Sequence, residues 1–179
     1  MNDTPAIFRE IKEFIGFTDA DADALRALAP VFAAHGAAIT DQFYQRLAAN
    51  PEQARMVEGR VDSLKRTHNR WMSELFAGIY EAAYFEDRWR IGMTHVRVGV
   101  KPWWVEAVSS FLRTEGVALL SREIDDPELR LAGLQALVKI LDIDLMIINL
   151  AYSEETIDRL SQFTGMSRKL IERCIQLKQ

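Results

Sequence analysis

The 179-residue sequence holds one cysteine, Cys174, which excludes a disulfide framework and any zinc site built on cysteine. Histidine is nearly as scarce. His35, His68 and His95 are the only three, so any imidazole chemistry rests on them. Positive charge is not in excess either: 22 basic against 26 acidic residues leave a formal charge of −4, whereas nucleic acid would require a concentrated basic face. A long apolar run is also missing. The most apolar window, Ile140 to Tyr152, is interrupted by Asp142, Asp144 and Asn149, and a membrane span needs about 20 mostly apolar residues. The opening Met1-Asn2-Asp3-Thr4-Pro5 lacks the basic start and apolar stretch of a signal peptide. A cytoplasmic location is therefore expected, with neither nucleic acid nor membrane as a partner of this segment.

Glycine and proline, 9 and 5 in number, are sparse enough to leave long uninterrupted segments. Those segments carry apolar residues at helical spacing. Ile7, Phe8, Ile11, Phe14 and Ile15 form a first amphipathic helix closed by Gly16, and Thr18-Asp19 can cap the next, through Leu25, Leu28 and Phe32. A further helix is expected after Gly36, through Ile39, Phe43 and Leu47, ending at Asn50-Pro51. The stripe Val61, Leu64, His68, Trp71, Met72, Leu75 predicts another, then Phe85 to Val98, then one opened by Pro102. Asp125-Asp126-Pro127 starts the longest, running past Tyr152 toward Phe163, and Ser167 to Gln179 reads as a last helix. No strand pattern is present. The expectation is an all-α protein of about eight helices.

Residues 134–152 carry two apolar stripes: Leu134, Leu137, Val138, Leu141, Leu145 and Ile148, and Ile140, Ile143, Ile147 and Leu150. A helix apolar on two faces must bury both. One faces its own core, and the other is expected to face a second subunit.

His95 has Ile91 and Gly92 one turn before it and Val98 and Gly99 one turn after. Two readings stand. It is a core histidine bonded to a carbonyl, or the flanking glycines make room for a large flat group ligated by a neutral imidazole, the usual proximal ligand of haem iron. His68 lies on the apolar stripe of another helix. Neither has a second histidine or carboxylate at i+4 on its apolar face, which disfavours a four-ligand zinc site. His35, beside Gly36, reads as a surface or cap residue at a helix junction.

The run Arg90-Ile91-Gly92-Met93-Thr94-His95-Val96-Arg97-Val98-Gly99-Val100-Lys101-Pro102-Trp103 resembles the proximal-histidine segment of globin-coupled sensors, bacterial haem proteins in which a globin domain controls a signalling output. Its pattern is His, hydrophobic, Arg, hydrophobic, Gly, then Pro and an aromatic. Asp41-Gln42-Phe43-Tyr44-Gln45-Arg46-Leu47 is similar to the family's B helix, and Val61-Asp62-Ser63-Leu64-Lys65-Arg66-Thr67 to its distal E helix. The resemblance spans about Ile7 to Tyr152.

It implies a globin fold, a three-over-three helical sandwich with an extra N-terminal helix and a long C-terminal one. It implies haem b, with His95 as proximal iron ligand and Tyr44 donating to bound O2 in the distal pocket. Leu64 would limit access to the iron and Thr67 add a polar contact, with Phe43, Ile91 and Val98 completing the cofactor's surroundings. His68 departs from the many relatives whose matching residue is apolar. It would be a second axial ligand displaced by gas, a distal donor competing with Tyr44, or a side chain swung outward. The partners implied are O2, CO or NO and a second copy docked through the G and H helices. Residues 1–153 would be the sensor globin domain and 154–179 a helical connector toward an output domain. No separate acid–base pair or substrate cleft is legible, so a gas-binding protein rather than an enzyme is expected. The alternatives are a stand-alone haem enzyme with NO dioxygenase or peroxidase-like turnover, and a cofactor-free helical interaction module.

Overall fold

The phase of the apolar residues, more than the placement of prolines, decides where the helices run. In the computed structural model residues 4–176 are described, and among them are eight α-helices and no strand. They are α1 (Thr4–Ile15), α2 (Asp19–Ala48), α3 (Pro51–Val57), α4 (Val61–Leu75), α5 (Ala82–Val98), α6 (Pro102–Glu123), α7 (Pro127–Thr164) and α8 (Arg168–Gln176). The all-α expectation holds, with two differences in detail.

First, the two helices expected on either side of Gly36 are one 30-residue helix, α2. Pro30 lies inside it on an exposed face, where losing one backbone donor is tolerated. The buried residues Leu25, Leu28, Phe32, Gly36 and Ile39 keep steps of three and four straight through the proline, so one face stays on the core. Gly36 is no hinge. A Cβ there would stand 2.5 Å from Met72 Sδ, so its absence lets α2 approach α4. His35 is correspondingly mid-helix and half-buried, its Nε2 3.6 Å from Glu123 Oε2.

Second, α3 replaces what sequence spacing marks only as an ending. Asn50 accepts from the N–H groups of Glu52 and Gln53 at 3.0 and 3.2 Å, and Pro51 occupies the first turn. That is a helix start as much as a stop.

The core forms around α7, which packs against α5, α6 and α2. Ile140, Ile143 and Ile147 are fully buried and Leu137, Leu141 and Ile148 nearly so. Both apolar stripes thus turn largely inward, leaving Leu131, Val138 and Met146 exposed. Elsewhere α4 packs on α2, whereas α4 and α5, the helices of His68 and His95, are not a closely packed pair.

Beyond Tyr152 the chain stays helical, so a boundary at 153/154 falls inside α7. Gly165 ends that helix in the left-handed conformation (φ 72°), and α8 folds back onto it. Ile171 is buried there, and Arg168 donates to Glu154 at 2.6 Å and to Asp158. Of the apolar positions expected in the last helix, Leu170, Cys174 and Ile175 are exposed. Leu177 lies outside the described residues.

The start of α2 is tied to α7 by Asp21, whose carboxylate accepts from the Thr18 N–H and from Lys139 Nζ, both at 2.8 Å. Burial pushes this carboxyl up, but Lys139 and Thr18 outweigh it and hold Asp21 below the usual carboxylate range. A lowered folded value means the contribution is complete above the unfolded value, roughly 4, and is lost as pH falls through the folded value. Asp21→Asn is expected to cost about 1–2 kcal/mol in urea unfolding at pH 7. The gap from wild type should shrink below about pH 4, and a gap unchanged at pH 3 would contradict this role for the carboxylate.

Candidate functional site

One face of α2 and one face of α4 bring five side chains together. Helical spacing puts Thr40 one turn before Tyr44 on α2, with Phe43 beside them, and His68 one turn before Trp71 on α4. The His68 ring centroid is 5.2 Å from Phe43, 5.1 Å from Trp71 and 6.4 Å from Tyr44, the last nearly perpendicular at 88°. Its Nδ1 lies 2.9 Å from Thr40 Oγ1. Its Nε2 is buried and has no hydrogen-bond partner. Burial pushes the His68 pKa down to about 4, so the ring is neutral near pH 7. A buried nitrogen without a partner costs about 1–3 kcal/mol, and such an exception calls for a functional account.

Tyr44 is buried, and desolvation alone pushes its phenol up to about 12. The hydroxyl therefore keeps its proton and remains a donor beside His68. Leu64 is half-buried on α4. Thr67 is exposed and spends its hydroxyl on the Ser63 carbonyl of its own helix at 3.1 Å, so it does not join the cluster as a polar contact.

His95 stands apart on α5, about two turns after the buried Arg88 and three after the buried Phe85. Its Nδ1 is buried without a partner, and burial lowers its pKa, keeping the imidazole neutral. Ile91 is half-buried and Val98 exposed one turn to either side. The ring of His95 makes no aromatic pair with the His68 cluster.

The glycines around His95 do not act as their spacing implies. A Cβ on Gly92 would stand 2.7 Å from Ala151 Cβ and 3.1 Å from Ile148 Cα, so this glycine seats α5 against α7 and opens no room beside the imidazole. Gly99 has φ 79° and caps α5 in the left-handed conformation.

Behind the cluster lies a polar centre that spacing alone does not reveal. Trp71 donates its indole N–H to Asp144 Oδ2 on α7 at 2.8 Å, and Tyr84 donates its hydroxyl to Oδ1. Arg88 Nε is 2.9 Å from the same carboxylate, and Nη1 donates to Glu74 on α4 at 2.8 Å. Asp144 and Arg88 are both almost fully buried. The sequence signal was Asp144 in the most apolar run of the chain, a residue that demands partners wherever the helix is buried. Thr40 was also missed. Its i−4 relation to Tyr44 was the available clue.

A solvent-open cleft of about 430 Å³ lies between α5, α7 and α8, but it includes none of Tyr44, His68 and His95, and its Arg168 is already paired with Glu154 and Asp158. Among the described residues no group of three or more His, Cys, Asp or Glu side chains could hold a metal ion. The residues that could hold a metal already bound in a larger cofactor are His68 and His95, two neutral imidazoles on α4 and α5, each with a buried nitrogen lacking a partner, on helices that are not a closely packed pair.

Comparison with known proteins bears on the family and the fold. A protoglobin family model matches residues 4–158. The globin domain of a Geobacter sulfurreducens globin-coupled sensor superposes with a TM-score of 0.77 at 36% identity, covering 80% of this chain and 96% of that one. Two forms of the globin domain of E. coli DosC, ferric and ferrous, give TM-scores of 0.67 and 0.66. Their identities of 16% and 15%, over 80% of this chain and 98% and 97% of theirs, show likeness of fold. The globin fold expected from the sequence is the fold found.

Gly92→Ala is expected to lower stability by about 1–3 kcal/mol, because the added methyl has α7 backbone in its way and cannot be absorbed by a rotamer change. Thermal or urea unfolding checks this, and an unchanged midpoint would refute the close approach of α5 to α7.

Proposed function

The chain belongs to the protoglobin family, a haem-binding globin, and from that premise we propose that it is a gas-sensing domain in which His95 would hold the haem iron and His68 would be a second ligand to it. The observation that carries this reading is the pair of half-buried, neutral imidazoles on α4 and α5, each with a buried nitrogen that no protein group satisfies. Haem iron, when bound, supplies a coordination position that O2, CO or NO can take.

The chain's own residues set the terms of access to it. His95 would hold the iron from α5, and its burial keeps the ring in the neutral form that ligation needs. His68 would offer its unpartnered Nε2 from α4, in competition with a gas. Tyr44, protonated and at the edge of the His68 ring, is the donor placed to hydrogen-bond an incoming gas molecule that accumulates negative charge. Phe43 and Trp71 flank His68 and keep water from its ring. Leu64 narrows the approach on the same helix, while Ile91 and Val98 border His95. Thr67 belongs to the outer surface of α4 and takes no part.

The signalling half of the proposal rests on α6 and α7. Exposed Val117 on α6 and Leu131, Val138 and Met146 on α7 are apolar side chains available to a second copy. Sedimentation of the purified chain reads that dimer directly.

The first test is a visible spectrum. A Soret band is expected in the wild type and lost in His95→Ala. A ferric spectrum of two-nitrogen, low-spin type is expected as well, converted to high spin by His68→Ala. Absence of a Soret band would overturn the haem reading, and a five-coordinate or water-ligated ferric wild type would remove His68 from the iron.

A further inference from the structure

We infer that Thr40 and Asn69 form a relay that fixes His68 as its Nδ1–H tautomer and so presents a bare Nε2 for ligation. This rests on the reading of His68 as an iron ligand. It makes Thr40 and Asn69 positioning residues, acting through the imidazole.

Thr40 Oγ1 stands between two groups, 2.9 Å from His68 Nδ1 and 2.8 Å from Asn69 Oδ1. A hydroxyl has one proton to give and two lone pairs to receive. The Asn69 oxygen can only accept, so the hydroxyl proton goes to it. Thr40 Oγ1 must then accept from its other neighbour, which places the imidazole proton on Nδ1. A neutral imidazole carries a single N–H, and Nε2 is left with its lone pair free. The buried His68 atom without a partner is that same Nε2.

The setting gives the relay little freedom. Thr40 is 1% exposed. The His68 ring lies between Phe43 and Trp71, at 34° and 32° to their planes. Turning the ring by a half-rotation would carry Nδ1 away from Thr40 and break the bond. One element remains adjustable, the Asn69 amide at the exposed end. With its NH2 toward Thr40, the hydroxyl proton would pass to Nδ1, the ring proton would move to Nε2, and no lone pair would face the cofactor. An exposed amide thus decides whether a half-buried histidine can bind metal, as outer-shell partners of metal-bound histidines do.

The test reads the tautomer itself. Long-range proton–nitrogen NMR of the 15N-histidine-labelled chain distinguishes the two nitrogens of His68, either without haem or with haem as the diamagnetic ferrous CO form. The Nδ1–H tautomer is expected in the wild type, in Thr40→Ser and in Asn69→Asp, which keeps an acceptor. Thr40→Val and Asn69→Ala should shift the tautomer ratio toward Nε2–H by about fivefold, the worth of one ordinary hydrogen bond. In the haem-loaded ferric protein the same two variants should raise the high-spin fraction, and CO association should quicken by about fivefold in the ferrous one. Asn69→Ala, at an exposed position, keeps the test alive if the core variant fails to fold. An Nε2–H wild type overturns the relay, as does a tautomer unmoved by both variants or a spin change without a tautomer change. A wild type lacking the two-nitrogen spectrum would instead defeat the ligation reading, while the NMR result would still judge the relay.

Discussion

The carboxylate of Asp144 is the constraint on which the remaining arrangement depends. It is buried halfway along α7, among side chains that are otherwise apolar. An unpaired charge there would be prohibitive. Burial pushes its pKa up, while the Arg88 charge and the hydrogen bonds from Tyr84 and Trp71 act in the opposite sense. Those partners come from α4 and α5, so satisfying one carboxylate fixes both helices against α7. Replacing such a cluster with well-packed apolar residues is often neutral or stabilising, so its value here is better seen as registry than as net stability. Trp71 is the joint. One side of it meets Asp144 and the other meets His68. The two imidazoles, on helices that are not a closely packed pair, are therefore referenced to a common point.

The polarity around His68 is arranged with similar economy. Three aromatic neighbours exclude water, one hydroxyl engages Nδ1, and nothing engages Nε2. Tyr44 shares the enclosure without a competing bond to the ring, so its hydroxyl is free to donate to a ligand arriving beside it.

Much of this was legible in the sequence, and the reasons divide cleanly. Periodicity located α1 and α4 through α8 because their apolar stripes end at glycine, proline or a capping side chain. The same periodicity would have joined the halves of α2, since Leu25, Leu28, Phe32, Gly36 and Ile39 hold one phase, but Pro30 and Gly36 carry local signals for a break. Tertiary packing overruled them. The site divided along another line. Tyr44, His68 and His95 stood out by chemistry, whereas Thr40 and Asn69 matter only through pairings between helices, which a linear pattern does not display. Gly92 illustrates the limit. Its closeness to His95 along the chain suggested space for a cofactor, yet its missing side chain faces α7.

Helix α7 also has mechanical consequences. Its 38 residues form a rod of about 57 Å at 1.5 Å per residue. Asp144, where α4 and α5 are anchored, sits near the middle, about 30 Å from the end at Thr164. A tilt of about 5° around that fulcrum would swing the far end through roughly 2.6 Å, by the same helical rise. Short of that end, Glu154 and Asp158 stand about 15 and 21 Å from Asp144, where the same tilt amounts to roughly 1.3 and 1.8 Å. Displacements too small to repack the core would thus be felt at the charged clasp that Arg168 of α8 makes with them.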